Sequence, residues 1–175
     1  LYNKFHMEHP SNMFVVEYAS RPPLAKIFYE DVLKAAFFYG YPILIENNKY
    51  GIARYFESRG YDGYLMDRPE HLTSGGSART KTKGLPSNSQ DVIQSHAHAI
   101  EAYIHDHVGI NRETGEHGRM YFNRTLEDWI GYKIDNRTKF DLTISSGLAL
   151  LGAQKAKPKK PPSDFSERVF LRRFK

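Results

Sequence analysis

An α/β domain, with a mixed sheet flanked by helices, is the fold class this sequence predicts, on three observations. The run Pro42-Ile43-Leu44-Ile45-Glu46 is a short, continuous apolar stretch that ends on an acid, the pattern of a central strand covered on both faces. Strand-like and helix-like stretches alternate from residue 13 to residue 66, an order that implies parallel pairing through crossovers. A late apolar helix pattern begins at Asp141, and its small residues Ser145, Gly147 and Ala149 predict close packing on the sheet.

Taken in order, residues 13–19 are rich in β-branched and aromatic side chains and predict a strand, broken by Arg21-Pro22-Pro23. Apolar residues at helical spacing predict a helix over 24–39, stopped by Gly40. Residues 43–46 form the central strand, 50–58 a second helix closed by Arg59-Gly60, and 63–66 the next strand. The stretch 73–88 is rich in Gly, Ser, Thr, Lys and Arg and reads as a mobile loop. Ile93, Ala97, Ile100, Ile104 and Val108 make one stripe of a long amphipathic helix over 90–108, with Ser89 as its N-cap. Residues 111–118 read as a polar turn, 120–123 as a short edge strand, and 125–132 as a short helix with Trp129 inward. The last core helix covers 140–153, and the Lys-Pro run 157–162 is an extended linker. Two units follow: a domain over 1–153 and a basic tail over 154–175.

Composition narrows the class. A chain of 175 residues with 40% hydrophobic content can bury a core of its own. No apolar stretch reaches the length of a membrane span, and the amino end lacks the pattern of a signal peptide. The first residue is Leu, so the chain reads as a fragment or a processed piece. The absence of cysteine removes disulfides and thiolate metal sites, and is compatible with a cytoplasmic setting. The net charge of +5 is concentrated in the tail, where eight Lys or Arg and two acids leave the preceding domain at −1. Such a tail suits a polyanion such as nucleic acid, and equally suits a solvated linker.

Glu46 and Asp141 are the candidate catalytic and metal-binding residues. An acid at the carboxyl end of a buried strand sits where α/β sheets bind ligands. An acid in the first turn of a helix is kept ionised by the helix dipole. The bland alternatives are a salt bridge from Glu46 to Lys49 or Arg54, and a plain first-turn acid at Asp141. Hard oxygen ligands suit Mg²⁺ or Mn²⁺, and two such ions roughly 3.5–4 Å apart can drive phosphodiester hydrolysis. Lys49, Arg79, Lys81 and Lys83 are the candidate nucleic-acid contacts. His96, His98, His105 and His107 share one helix, but without a His-Glu-x-x-His pattern they point to no metal site. The chain also has no phosphate-binding loop motif for ATP.

Together, Phe14-Val15-Val16-Glu17-Tyr18, the helix over 25–39, Ile43-Leu44-Ile45-Glu46-Asn47-Asn48-Lys49-Tyr50-Gly51, Thr82-Lys83-Gly84 and Phe140-Asp141-Leu142-Thr143-Ile144-Ser145-Ser146-Gly147-Leu148-Ala149 carry a resemblance. The chain resembles the carboxyl-terminal nuclease domain of the large terminase subunit of tailed phages, nearest to the crAss-like group. The resemblance covers residues 13–153. It implies a ribonuclease-H-like (RuvC-like) fold and an endonuclease that cuts concatemeric double-stranded DNA with two Mg²⁺ or Mn²⁺ ions. In that family three acids hold the metals. Glu46 matches the second and Asp141 the third, while the strand carrying the first is missing, so the fold is truncated at its amino end. Neither Glu17 nor Asp31 stands in the place of the first acid. The resemblance also implies as partners double-stranded DNA, a terminase ATPase domain, a portal and a small terminase subunit, and a location in the cytoplasm of an infected bacterium.

Two alternatives stand beside it: a non-catalytic DNA-binding or docking module, and another enzyme of the same fold such as a resolvase. Asp67, Asp128 and Asp135 are further acids that could supply a ligand if the fold brought them near.

Overall fold

The computed structural model describes residues 2–3, 12–47, 50–69, 72, 82–86, 89–109 and 120–153. Local signals place most of its helices. Helix α1 (Ala25–Tyr39) follows the extended residue Leu24 and ends where Gly40 turns left-handed at φ 68°. There the amides of Gly40 and Tyr41 bond back to the carbonyls of Phe37 and Ala36, a glycine stop that satisfies the last turn. Helix α2 (Gly51–Ser58) starts at a glycine because a side chain there would run into the Tyr29 ring of α1. Helix α3 (Gln90–His107) begins under the Ser89 hydroxyl, which accepts from the Val92 amide at 3.3 Å. Helices α4 (Asn123–Gly131) and α5 (Asp141–Ala153) complete the set, with an irregular 3-10 stretch over Ile134–Lys139 between them.

The helices form two groups. In the first, α1 and α2 close over Leu33, Phe56 and Leu65. In the second, Tyr103 of α3, Trp129 of α4 and Leu150 of α5 pack with Phe14, and the three rings meet edge to face. Helix α5 joins the groups. Its Gly147 lies so close to α3 that a methyl there would sit 3.1 Å from His96 Cβ, and its Gly152 is as tightly placed against Leu44 and Met66, at 3.2 Å. Leu85, Val92, Leu148 and Leu151 fill the seam.

The expected α/β mixed sheet does not form; among the described residues the molecule is predominantly helical. Strand β1 (Tyr2–Asn3) pairs antiparallel with β2 (Met13–Phe14), and that pairing covers two residues each. Elsewhere there are isolated bridges: Ile43 with Leu65 and Glu46 with Leu85, both parallel, and Asp67 with Lys83, antiparallel. The physical reasons are local. The strand expected over 63–66 loses its first half to a 3-10 turn at Asp62–Tyr64, driven by Asp62-Gly63. The edge strand expected over 120–123 has no regular pairing, and Asn123 already belongs to α4. Beyond Phe14 the stretch expected as strand to residue 19 runs without a partner strand. The apolar run at 43–45 is nevertheless covered on both sides, with Ile43 and Ile45 turned to the α1 and α2 group and Leu44 to the seam with α5.

The loop expected over 73–88 falls largely outside the described residues, as do the polar turn over 111–118 and the tail over 154–175. No described helix is long and apolar enough to cross a membrane.

Gly84 locks the one bridge that holds Glu46. Its φ is +74°, and a Cβ there would lie 2.5 Å from the Ile45 carbonyl oxygen that accepts the Leu85 amide. Gly84→Ala is therefore expected to lower stability by at least about 2 kcal/mol, combining left-handed strain with loss of that bond, measured by denaturant unfolding.

Candidate functional site: an apolar cleft with an open strand edge

Between the two helical groups lies a cleft of about 920 Å³. Its apolar walls come from Phe28 and Val32 of α1 and from Ile144 and Leu148 of α5. The extended stretches 14–21 and 41–46 line it as well.

Backbone accounting distinguishes one wall. In an extended chain, alternate residues direct their N–H and C=O groups to opposite edges. The Ile43 amide bonds to the Tyr64 carbonyl at 2.8 Å, and the Ile43 carbonyl accepts from Met66 at 2.9 Å. The Ile45 carbonyl accepts from Leu85 at 2.9 Å, and the Asn47 amide bonds to the Leu85 carbonyl at 2.7 Å. Residues 43, 45 and 47 thus share one edge, which is bonded through both groups of Ile43, the Ile45 carbonyl and the Asn47 amide. Leu44 faces the opposite edge, and no described residue bonds to its N–H or C=O. Leu44 as a residue is half-buried, and a backbone amide left unpaired away from water costs on the order of 1–3 kcal/mol.

The charged residues of the cleft are five acids, Glu17, Asp31, Glu46, Asp128 and Asp141, and two cations, Arg21 and Lys139. Most of the acids already have a structural task. Glu17 accepts from the Thr125 amide at 3.1 Å and its hydroxyl at 2.7 Å, capping the first turn of α4. Asp128 does the same for α5 through Thr143, at 2.7 and 2.9 Å. Asp31 accepts from the Tyr18 hydroxyl at 2.9 Å, and that bond is the chief reason the Tyr18 pKa is raised. Asp141 pairs with Arg21 at 2.9 Å in an exposed ion pair.

The structure therefore brings Glu46 and Asp141 to the same cleft, but without a metal centre around them. Asp141 is held by Arg21, and among the described residues no group of three or more His, Cys, Asp or Glu could hold a metal ion. Asp128 is taken up as a helix cap, and Asp67 pairs with Lys83 at 2.9 Å. Lys83 also donates to the Leu65 carbonyl at 3.0 Å, so its ammonium braces the bridge region. Lys49, Arg79 and Lys81 lie outside the described residues.

The histidines of α3 separate by burial. His98 and His105 are exposed beside Glu101 and Asp106. His96 is 5% exposed under Gly147, and its Nε2 has no hydrogen-bond partner. Burial, aided by the positive charge of Arg137, brings its pKa from an ordinary 6.5 to about 4.

No protein-family model, curated protein or solved structure matches the chain. With a helical fold in place of the mixed sheet, the resemblance to a terminase nuclease domain does not hold. The ribonuclease-H-like fold and the two-metal endonuclease reading, with its resolvase alternative, are withdrawn with it. Among the residues quoted for that resemblance, Glu17 caps α4, Gly51, Gly84 and Gly147 sit in tight contacts, and Asp141 pairs with Arg21. Sequence reasoning missed the open edge at Leu44 and the capping roles of Glu17 and Asp128, which no local pattern announces.

Asp128→Ala is expected to lower stability by roughly 1–2 kcal/mol, because the Thr143 amide loses its acceptor. Asp141→Ala, which breaks an exposed ion pair, should cost less than about 1 kcal/mol; urea unfolding of both variants checks the contrast. For His96, the unfolded chain binds a proton that the folded chain refuses between pH 6.5 and about 4. The stability it confers is full above 6.5 and is lost as pH falls towards 4, by about 3 kcal/mol. His96→Leu should flatten that part of the pH–stability curve relative to the wild type.

Proposed function

We propose that the chain is a peptide-docking module whose cleft takes up an extended segment by main-chain pairing with the open backbone of Leu44. The observation that carries this reading is the unpaired backbone of Leu44 on the wall of an apolar cleft. An open strand edge is a template for another chain, and main-chain bonds to it supply affinity while pockets beside it read side chains.

The cleft volume lies in the range of small-molecule sites as well, about 300–1,000 Å³. Such sites fix a ligand with converging polar side chains. Here Glu17, Asp31, Asp128 and Asp141 are occupied by internal partners, and the unmet hydrogen-bonding capacity at Leu44 belongs to the backbone. Apolar cover from both helical groups favours an occupant with a continuous apolar run, because an inserted strand is buried on both faces.

A flexible peptide of about ten residues with a Val-rich centre and Lys ends serves as probe. It is expected to slow amide exchange at Leu44 and to bind at least about tenfold more weakly to Leu44→Pro, which keeps the extended backbone but removes the donor. The same peptide N-methylated at alternate residues should lose binding to the unaltered protein. Equal binding of the methylated and unmethylated peptides would mean that strand pairing is not the mode of recognition.

A further inference from the structure

We infer that the occupant of the cleft is an inserted strand of a partner protein, paired along both of its edges: with Leu44 on one side and with the extended stretch 15–18 on the other. This rests on the reading of Leu44 as a pairing site and deepens it. The segment is not laid on one edge but becomes the middle of a sheet, and it must be apolar on both faces. Three observations support it.

The first is a second open backbone. Glu17 and Tyr18 line the same cleft as Leu44. No described residue bonds to the backbone N–H or C=O of Val15, Glu17 or Tyr18. Glu17 and Tyr18 are consecutive, so in an extended chain they direct their main-chain groups to opposite edges. Whichever edge is turned to the cleft therefore carries open groups. A strand between this stretch and Leu44 would satisfy both walls at once, with its even residues bonded to one side and its odd residues to the other.

The second is how the stretch is held. Glu17 is fastened to α4 through its carboxylate on Thr125, and Tyr18 to α1 through its hydroxyl on Asp31. Arg124 of α4 donates to the Ala19 carbonyl at 3.2 Å. Side chains thus fix this wall against two helices and leave the main chain of 15–18 available. A wall set in advance lowers the ordering cost of binding.

The third is cover. Phe28 and Val32 of α1 and Ile144 and Leu148 of α5 give the cleft apolar walls from both helical groups. An inserted strand turns successive side chains to opposite faces, and here both sets meet apolar surface. That requirement selects a continuous apolar run of about five residues over an alternating apolar–polar strand.

The test uses the full chain and synthetic peptides. The Val-rich, Lys-ended peptide described above should slow amide exchange at least about tenfold at Leu44 and, together with it, at Glu17 or Tyr18. A peptide of the same length and ends with alternating Val and Ser should bind at least about tenfold more weakly. Two further forms of the Val-rich peptide carry ester oxygens in place of the N–H groups of its even or of its odd residues. Each should bind at least about tenfold more weakly, because each lacks the donors for one wall. Protection confined to Leu44, or one ester form binding as tightly as the parent, leaves the Leu44 reading intact and overturns the insertion. Equal binding of the alternating peptide also overturns it. No protection at Leu44 overturns both. Protection of both walls without any peptide, rising with protein concentration alongside a dimer in sedimentation, makes a second copy the occupant and overturns the assignment to a partner protein.

Discussion

Close approach at two glycines of α5 is the constraint on which the rest of the structure depends. Gly147 lets the helix lie directly on His96 of α3, and Gly152 lets it lie on Leu44 and Met66. A glycine inside a helix costs up to about 1 kcal/mol in propensity. Here two of them let one helix touch both halves of the molecule. Were either side chain larger, α5 would stand off, and the seam of Leu85, Val92, Leu148 and Leu151 would open. The burial of His96 follows from the same contact, and with it the lowered basicity of that ring.

A relay of carboxylates fixes the orientation of the helices around that contact. Glu17 caps α4, and α4 in turn presents Asp128 to cap α5. Each acid accepts both the amide and the hydroxyl of a threonine in the third helical position, so two helix starts are satisfied from outside their own segments. Trp129 completes the link, donating from its indole to Ser146 at 2.8 Å in the buried interface of α4 and α5. These acids hold the frame of the cleft, which is why acids gathered in one place do not amount to a metal centre.

The cleft is what this frame leaves unfilled. Helices α1 and α5 cover the two sides of the stretch 43–45, one edge of the stretch 43–47 is bonded to 64–66 and 85, and on the other edge the Leu44 backbone has no partner among the described residues. A small, isolated strand stretch is poorly stable by itself, since sheets gain from each added neighbour. The same geometry leaves the Leu44 backbone incomplete beside a lining of five acids and two cations.

Sequence by itself determined where the helices are. Periodicity, the Gly40 stop, the Ser89 cap and the acid opening α5 are signals carried within one or two turns, and they place α1, α2, α3 and α5 nearly residue for residue. The continuous apolar run at 43–45 also announced cover on both faces correctly. What only the tertiary structure decided is which groups meet across long separations. Strand pairing is such a choice, and the mixed sheet expected from alternating patterns reduces to bridges because the partners needed on the Leu44 side are not among the paired stretches. The partners of the acids are another. Glu17 and Thr125 are 108 residues apart and Arg21 and Asp141 are 120 apart, so no local pattern could distinguish a helix cap or an ion pair from a catalytic carboxylate. A carboxylate's role is set by what surrounds it, and that is a property of packing.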